Sequence, residues 1–190
     1  MALVILDRDG VINEDSDNYI RSLADWHPIP GSIEAIVTLS QAGHQVAVAT
    51  NQSGLGRGYF DLDDLEAIHD ELCRQVESLG GALAGIFYCP HRPDEGCACR
   101  KPATGLLQAI ELELGEPVAE AFFVGDSMKD LQAAVAAGAR PLLVTTGKGK
   151  ATLAQLQQGE GDLPAPDTVP VMANLSAATP YILEHSKPAC

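Results

Sequence analysis

The chain has 190 residues, enough for one well-cored domain and short for two, with ordinary apolar (46%) and charged (20%) content. Its formal net charge of -14 argues against a nucleic acid or an anionic membrane as partner, and no apolar stretch approaches membrane-spanning length. The opening run is too short for a secretory signal and has no basic start, so a cytoplasmic monomer is expected.

Ala2-Leu3-Val4-Ile5-Leu6 is an unbroken apolar run, as in a strand buried on both faces of a parallel sheet. It ends in Asp7-Arg8-Asp9-Gly10, which puts two carboxylates on one side of the strand's carboxyl end. Like charges that close call for a cation near them. Residues 11 to 30 have no sustained period and are expected to form a flap over that strand end. Ser32 is the expected cap of a helix that Gly43 stops. Gln45 to Ala49 reads as the second strand, ending in Thr50-Asn51-Gln52-Ser53-Gly54, with Arg57 in the glycine-rich turn that follows. Asp61 caps a long helix whose apolar residues (Leu62, Leu65, Ile68, Leu72, Val76, Leu79) are spaced by three and four. His69 and Cys73 on that helix are read as packing or surface residues.

A third strand, 84 to 88, runs into Cys89-Pro-His91 and Cys97-Ala-Cys99-Arg100-Lys101-Pro102. A helix over 104 to 115 follows, then a strand over 121 to 124 that ends in Gly125-Asp126-Ser127. An alanine-rich helix starts near Ser127, with Asp130 in its first turn, and a fifth strand covers 140 to 144. Lys148 and Lys150 are read as solvated, and the Pro-punctuated stretch 151 to 190 as an extension with two short helices. Alternating strands and helices predict an α/β fold with a doubly wound parallel sheet, one domain over 1 to 190 with its core at about 3 to 150.

Polar clusters recur at four strand ends of one sheet edge, where open α/β sheets bind ligands. Asp7, Asp9 and Asp126, converging without a histidine, are hard oxygen ligands that suit Mg²⁺. Joined to a lysine and hydroxyl or amide donors, they describe a site for phosphoryl chemistry.

Asp7-x-Asp9-Gly10, Thr50, Lys101 and Gly125-Asp126-x-x-x-Asp130, in this order at strand ends, resemble the four motifs of the haloacid-dehalogenase (HAD) superfamily of phosphatases. The resemblance spans roughly residues 3 to 150. It implies that Asp7 attacks phosphorus and that Asp9 protonates the leaving alkoxide, then deprotonates water. It implies that Thr50 and Lys101 hold the phosphoryl group. Mg²⁺ would be ligated by Asp7, Asp126 and the Asp9 main-chain carbonyl, with Asp130 bracing the loop. The inter-motif stretches leave no room for a large cap domain, so the flap and the cysteine loop are expected to select the substrate.

Of the five cysteines, Cys89, Cys97 and Cys99 lie with His91 within eleven residues. Three thiolates and an imidazole suit tetrahedral Zn²⁺ in a structural site, which would fix Arg100 and Lys101 at the pocket rim. Among capless HAD families, the loop and its Cys-Arg-Lys-Pro continuation resemble the D-glycero-D-manno-heptose 1,7-bisphosphate 7-phosphatases and the histidinol-phosphate phosphatases. Thr50-Asn51-Gln52-Ser53-Gly54 with Arg57 looks more like the heptose family. A bisphosphate substrate has a second dianion for Arg57 and Arg100 to hold. The expected partner is therefore a small phosphorylated sugar, with Asp15, Ser16, Asp17 and Asn18 of the flap, and Asn51, Gln52, Ser53 and Ser127, as its other contacts. Asp15 and Asp17 also suit the amine of histidinol phosphate. A catalytically idle binding module is the reading from another class.

Overall fold

A computed structural model describes residues 2 to 186; Cys190 lies outside them. Six strands form one parallel sheet: β1 (Leu3–Leu6), β2 (Gln45–Asn51), β3 (Gly85–Cys89), β4 (Phe122–Gly125), β5 (Arg140–Val144) and β6 (Val171–Met172). The order across the sheet is β3-β2-β1-β4-β5-β6. The helices are α1 (Ser32–Gln41), α2 (Ser53–Gly56), α3 (Leu62–Ser78), α4 (Gly105–Leu114), α5 (Met128–Ala136), α6 (Gly149–Gln157) and α7 (Leu175–His185). None of the helices is long and apolar enough to cross a membrane.

Strand alternation sorts the core into two layers. Val4, Leu6, Val46, Val48, Phe122 and Val124 face α1, α3 and α7, in one cluster with Ile36, Leu72 and Ile182. Leu3, Ile5, Ala47, Ala49 and Phe123 face α4 and α5, against Leu107, Ile110 and Ala134. Both faces are covered, which is why β1 reads as a continuous apolar run rather than an alternating one.

Three local features differ from the sequence reading. Gly31, in the left-handed region at φ 83°, takes the cap position of α1, and the Ser32 hydroxyl instead donates to the Ile12 carbonyl at 2.6 Å. Residues 151 to 186 are woven into the fold, because β6 extends the sheet and Leu175, Ala178 and Ile182 of α7 are fully buried. Burial of a leucine or isoleucine side chain contributes about 1.5–3 kcal/mol. The flap is irregular as expected, but Val11, Ile12, Ile20 and Trp26 anchor it in the core.

The topology positions the site. The chain moves outward from β1 through β2 to β3, then crosses back so that β4 lies on the other side of β1. The strand order reverses between β1 and β4, and a crevice opens there at the carboxyl ends. Asp7 follows β1 and Asp126 follows β4.

Candidate active site

Asp7 follows β1 with its amide still donating to the Val124 carbonyl, 2.9 Å. Asp7, Asp126 and Asp130 each bring an oxygen within 4.8 Å of the others, and all three are buried. Lys101 meets them from the loop before α4, its Nζ 3.0 Å from Asp7 Oδ1 and 2.6 Å from Asp130 Oδ1. It also donates to the Ala49 carbonyl at 2.7 Å and is 2% exposed. Burial alone would lower the lysine's pKa, but Asp130 and Asp7 carry it above its usual range. Burial, then Asp130, pushes Asp7 well up in spite of Lys101. Burial and Asp130 likewise push Asp126 up to about 7, against a bond from the Lys148 amide.

Three buried acids against one lysine leave negative charge in excess, which a divalent cation would neutralise. Arg8 N and Lys101 engage Asp7 Oδ1, and Lys148 N engages Asp126 Oδ2. The second oxygen of each stays without a hydrogen bond among the described residues. Hard oxygens converging with free lone pairs fit Mg²⁺. The space beside them depends on glycine: a Cβ on Gly10 (φ 86°) or Gly147 (φ 54°) would collide with the Asp126 carboxylate.

The third acid of the cluster is Asp130, where the sequence placed Asp9. Asp9 lies past the strand end, and its carboxylate turns to other donors. Arg8 Nε (2.9 Å) and Asn13 Nδ2 (2.9 Å) donate to Oδ1, and Arg8 Nη2 (3.1 Å) and Gln52 Nε2 (2.9 Å) donate to Oδ2. Burial would raise this carboxyl, but Arg8, with Asn13 and Gln52, holds it below the usual range.

At the end of β3, Cys89, His91, Cys97 and Cys99 form a second cluster. Sulfur–sulfur separations are 3.2–3.6 Å, and His91 Nδ1 stands 3.6 Å from Cys89 Sγ and 3.2 Å from Cys99 Sγ. Zn–S and Zn–N bonds of about 2.3 and 2.0 Å at tetrahedral angles give edges close to these, so the cluster fits Zn²⁺. Burial pushes the Cys89 thiol up to about 12. The Cys97 thiol is lowered to about 7: burial opposes this, but the Arg100 amide and the neighbouring sulfurs outweigh it. A metal ion would be needed to hold all three as thiolates.

A family model described as HAD-hydrolase-like matches residues 98–173. A D-glycero-β-D-manno-heptose-1,7-bisphosphate 7-phosphatase of Pseudomonas putida is 58% identical over 80% of this chain and 87% of its own length. Its counterpart in Pseudomonas aeruginosa is 51% identical over 96% of this chain and 98% of its own. The chain belongs to this heptose-bisphosphate phosphatase family. A crystal structure of a family member from B. bronchiseptica, complexed with magnesium and phosphate, superposes with a TM-score of 0.90. It is 47% identical and covers 98% of this chain and 100% of that one.

The residues expected to serve the family's chemistry fall into three groups. Asp7, Asp9, Asp15, Ser16, Asp17, Thr50, Asn51, Gln52, Ser53, Arg100, Lys101, Asp126, Ser127 and Asp130 line one cavity of about 550 Å³. Within it, several expected substrate contacts are already engaged by protein. Asn51 accepts from the Lys101 amide (3.0 Å) and donates to its carbonyl (3.1 Å), so it braces the lysine's loop. The Ser127 amide and hydroxyl both donate to Asp130 Oδ2, closing the first turn of α5. Gln52 Nε2 bridges Asp9 Oδ2 and Thr50 Oγ1, 2.9 Å to each. Asn18 and Arg57 lie outside this cavity; Asn18 lines an adjoining hollow of the flap, and Arg57 is exposed after α2.

Three further residues touch the site's aspartates directly or through one another. Arg8 was passed over between two aspartates, yet it is fully buried. His69, expected to be a packing or surface residue, packs inward: it lies on the apolar stripe of α3, four residues after Leu65, and is buried against Tyr88. Lys148 was read as solvated, but it pairs with Asp15 of the flap at 3.1 Å, a contact across 133 residues that no local pattern announces.

Proposed function

We propose that this chain removes the C7 phosphate of D-glycero-β-D-manno-heptose 1,7-bisphosphate through an aspartyl-phosphate on Asp7. The observation that carries the reading is the meeting of Asp7, Thr50, Lys101, Asp126 and Asp130 in one cavity, in a chain whose relatives bear that activity's name. Asp7, Asp126 and the Asp9 main-chain carbonyl would hold Mg²⁺, which would supply charge neutralisation for the transferring group. Lys101 and Thr50 hold that group, and Lys101 also balances the nucleophile's charge. Asp9 gives a proton to the departing C7 oxygen and later takes one from water, since a sugar alkoxide is a poor leaving group; four donors hold it as a carboxylate at rest, so Asn13 or Gln52 must give up its bond for the carboxyl to carry that proton. Asp130 braces Lys101 and the start of α5. The zinc loop fixes Arg100 at the rim. The chain works as a single-domain cytoplasmic monomer, in the supply of heptose precursors for lipopolysaccharide.

Histidinol phosphate is the competing substrate. Its ammonium needs an acid in the flap; Asp15 is paired with Lys148, which leaves Asp17 alone to meet it. Arg100 and Lys129 at the same cavity suit a second phosphate instead. Side-by-side turnover of the two substrates with Mg²⁺ tests the reading. A kcat/KM at least about a hundredfold higher for the heptose bisphosphate is expected; a preference for histidinol phosphate would overturn it.

A further inference from the structure

Arg8 is among the largest fully buried side chains of the molecule, at 0% exposed. Its guanidinium has two working edges. One closes as a fork on Asp9, Nε to Oδ1 at 2.9 Å and Nη2 to Oδ2 at 3.1 Å. The other presents Nη1 to His69 Nε2 at 3.2 Å, across 61 residues of chain. His69 sits on α3, is 9% exposed, and rests its ring on Tyr88 of β3, centroids 5.8 Å apart.

We propose that Arg8 and His69 are positioning residues for Asp9, with His69 on α3 acting as the neutral acceptor that keeps the Arg8 fork closed on the Asp9 carboxylate. The inference deepens the proposed function and rests on its reading of Asp9 as the acid–base group.

The argument is one of competition. Arg8 follows Asp7 in the chain and lies close to an acidic cluster that would attract any mobile guanidinium. Its orientation therefore needs a partner on the far side. Arginine is donor-only, so any hydrogen bond at Nη1 requires an acceptor, and a buried donor seeks one. A carboxylate there would compete with Asp9 for the guanidinium. A protonated imidazole would repel it. A neutral imidazole satisfies Nη1 without drawing the charge away. His69 meets that condition, because burial and then the Arg8 charge lower its pKa to about 3. Since arginine only donates, Nε2 must carry the lone pair and Nδ1 the hydrogen. The helix thus reaches the acid–base group through one rigid, planar link. Asn13 and Gln52 complete the four bonds to Asp9, so its carboxylate is fixed in plane as well as in position.

The test compares His69→Gln with His69→Asn. The glutamine amide reaches as far as Nε2, whereas the asparagine amide reaches only as far as Nδ1. The readout is kcat/KM, which reports steps up to departure of the leaving group. With heptose bisphosphate, whose alkoxide needs the Asp9 proton, His69→Asn should lose about tenfold, a fraction of the full acid–base contribution. His69→Gln should retain most of the activity. With p-nitrophenyl phosphate, whose leaving group needs no proton, His69→Asn should stay within about threefold of the parent. Equal values for Gln and Asn, or equal losses on both substrates, would overturn the proposal. Asp9→Asn is measured alongside. If it turns over the sugar substrate normally, the acid–base reading itself fails; if it is inactive while His69→Asn keeps the parent's full activity on the sugar substrate, only the positioning role fails. Nitrogen-15 NMR of the unmodified protein gives a reading that depends on no variant. The expected ring is protonated at Nδ1 and bare at Nε2, and the opposite tautomer would overturn the proposal.

Discussion

In the crevice between β1 and β4, four ionisable side chains from three distant parts of the chain are held by strand ends, a helix start and a buried lysine. In the cysteine loop, four ligands come from eleven consecutive residues that contain no helix after β3 ends at Cys89. The crevice is organised by the sheet: Lys101 already links Asp7 to Asp130, and Asn51 pins the lysine's own backbone. The loop has little apolar burial beyond Cys89, and its remaining ligands are half-exposed. The first site is therefore organised by the fold, whereas the second would draw much of its order from its ion. The two meet at Arg100 and Lys101, which directly follow the last cysteine.

The largest expected effect falls on chemistry alone. Asp7→Asn should lower turnover about 10⁴-fold or more while leaving zinc content at one ion per chain, measured by steady-state kinetics and metal analysis. Loss of zinc in that variant would break the division between the sites. Next, Lys101→Met leaves Asp7 and Asp130 buried without their cation, and should cost about 3–5 kcal/mol in denaturant unfolding. A stability change under about 1 kcal/mol would mean that the lysine does not organise the crevice. Alanines at Cys97 and Cys99 should abolish zinc binding and reduce turnover about tenfold or more by loosening Lys101, with the helical circular dichroism retained. Full activity of that zinc-free protein would disconnect the loop from catalysis.

The smallest effect is a pH slope. His69 has its folded pKa lowered to about 3, against about 6.5 when unfolded. Below pH 6.5 the unfolded chain takes up a proton that the folded chain refuses, so this contribution is complete above that pH and is lost as pH falls. From pH 6.5 to 5.5 it amounts to about 1 kcal/mol. His69→Gln should remove that component from a stability–pH profile, and an unchanged profile would place the imidazole in a wetter environment.

Much of this was legible because local pattern and global position coincide. Apolar runs closed by polar turns marked β1 to β5, and acids at strand ends marked Asp7 and Asp126. The cysteine loop was visible because its ligands are neighbours in the chain. What escaped depends on pairings that sequence spacing does not encode. Asp9 was expected to turn its carboxylate to the cation with Asp7, but Arg8, Asn13 and Gln52 occupy both of its oxygens. Asn51 and Ser127 looked like ligands for substrate because polar strand-end residues often are; their hydrogen bonds go to Lys101 and Asp130 instead. Strand β6 has two residues, too few to carry an alternating pattern.

Helix α7 has a bearing on biosynthesis. Its inner face fills the gap over α1 and β5, so Ile33 and Ile36 near the front of the chain and Leu142 in its third quarter share a cluster with Leu175 and Ile182. During translation, the catalytic acids and the cysteine loop leave the ribosome long before that face is covered. The nascent chain then holds its reactive groups on a half-closed sheet whose apolar side is open to chaperones and to other chains. Premature release before residue 175 would yield a product prone to clumping rather than a smaller working enzyme.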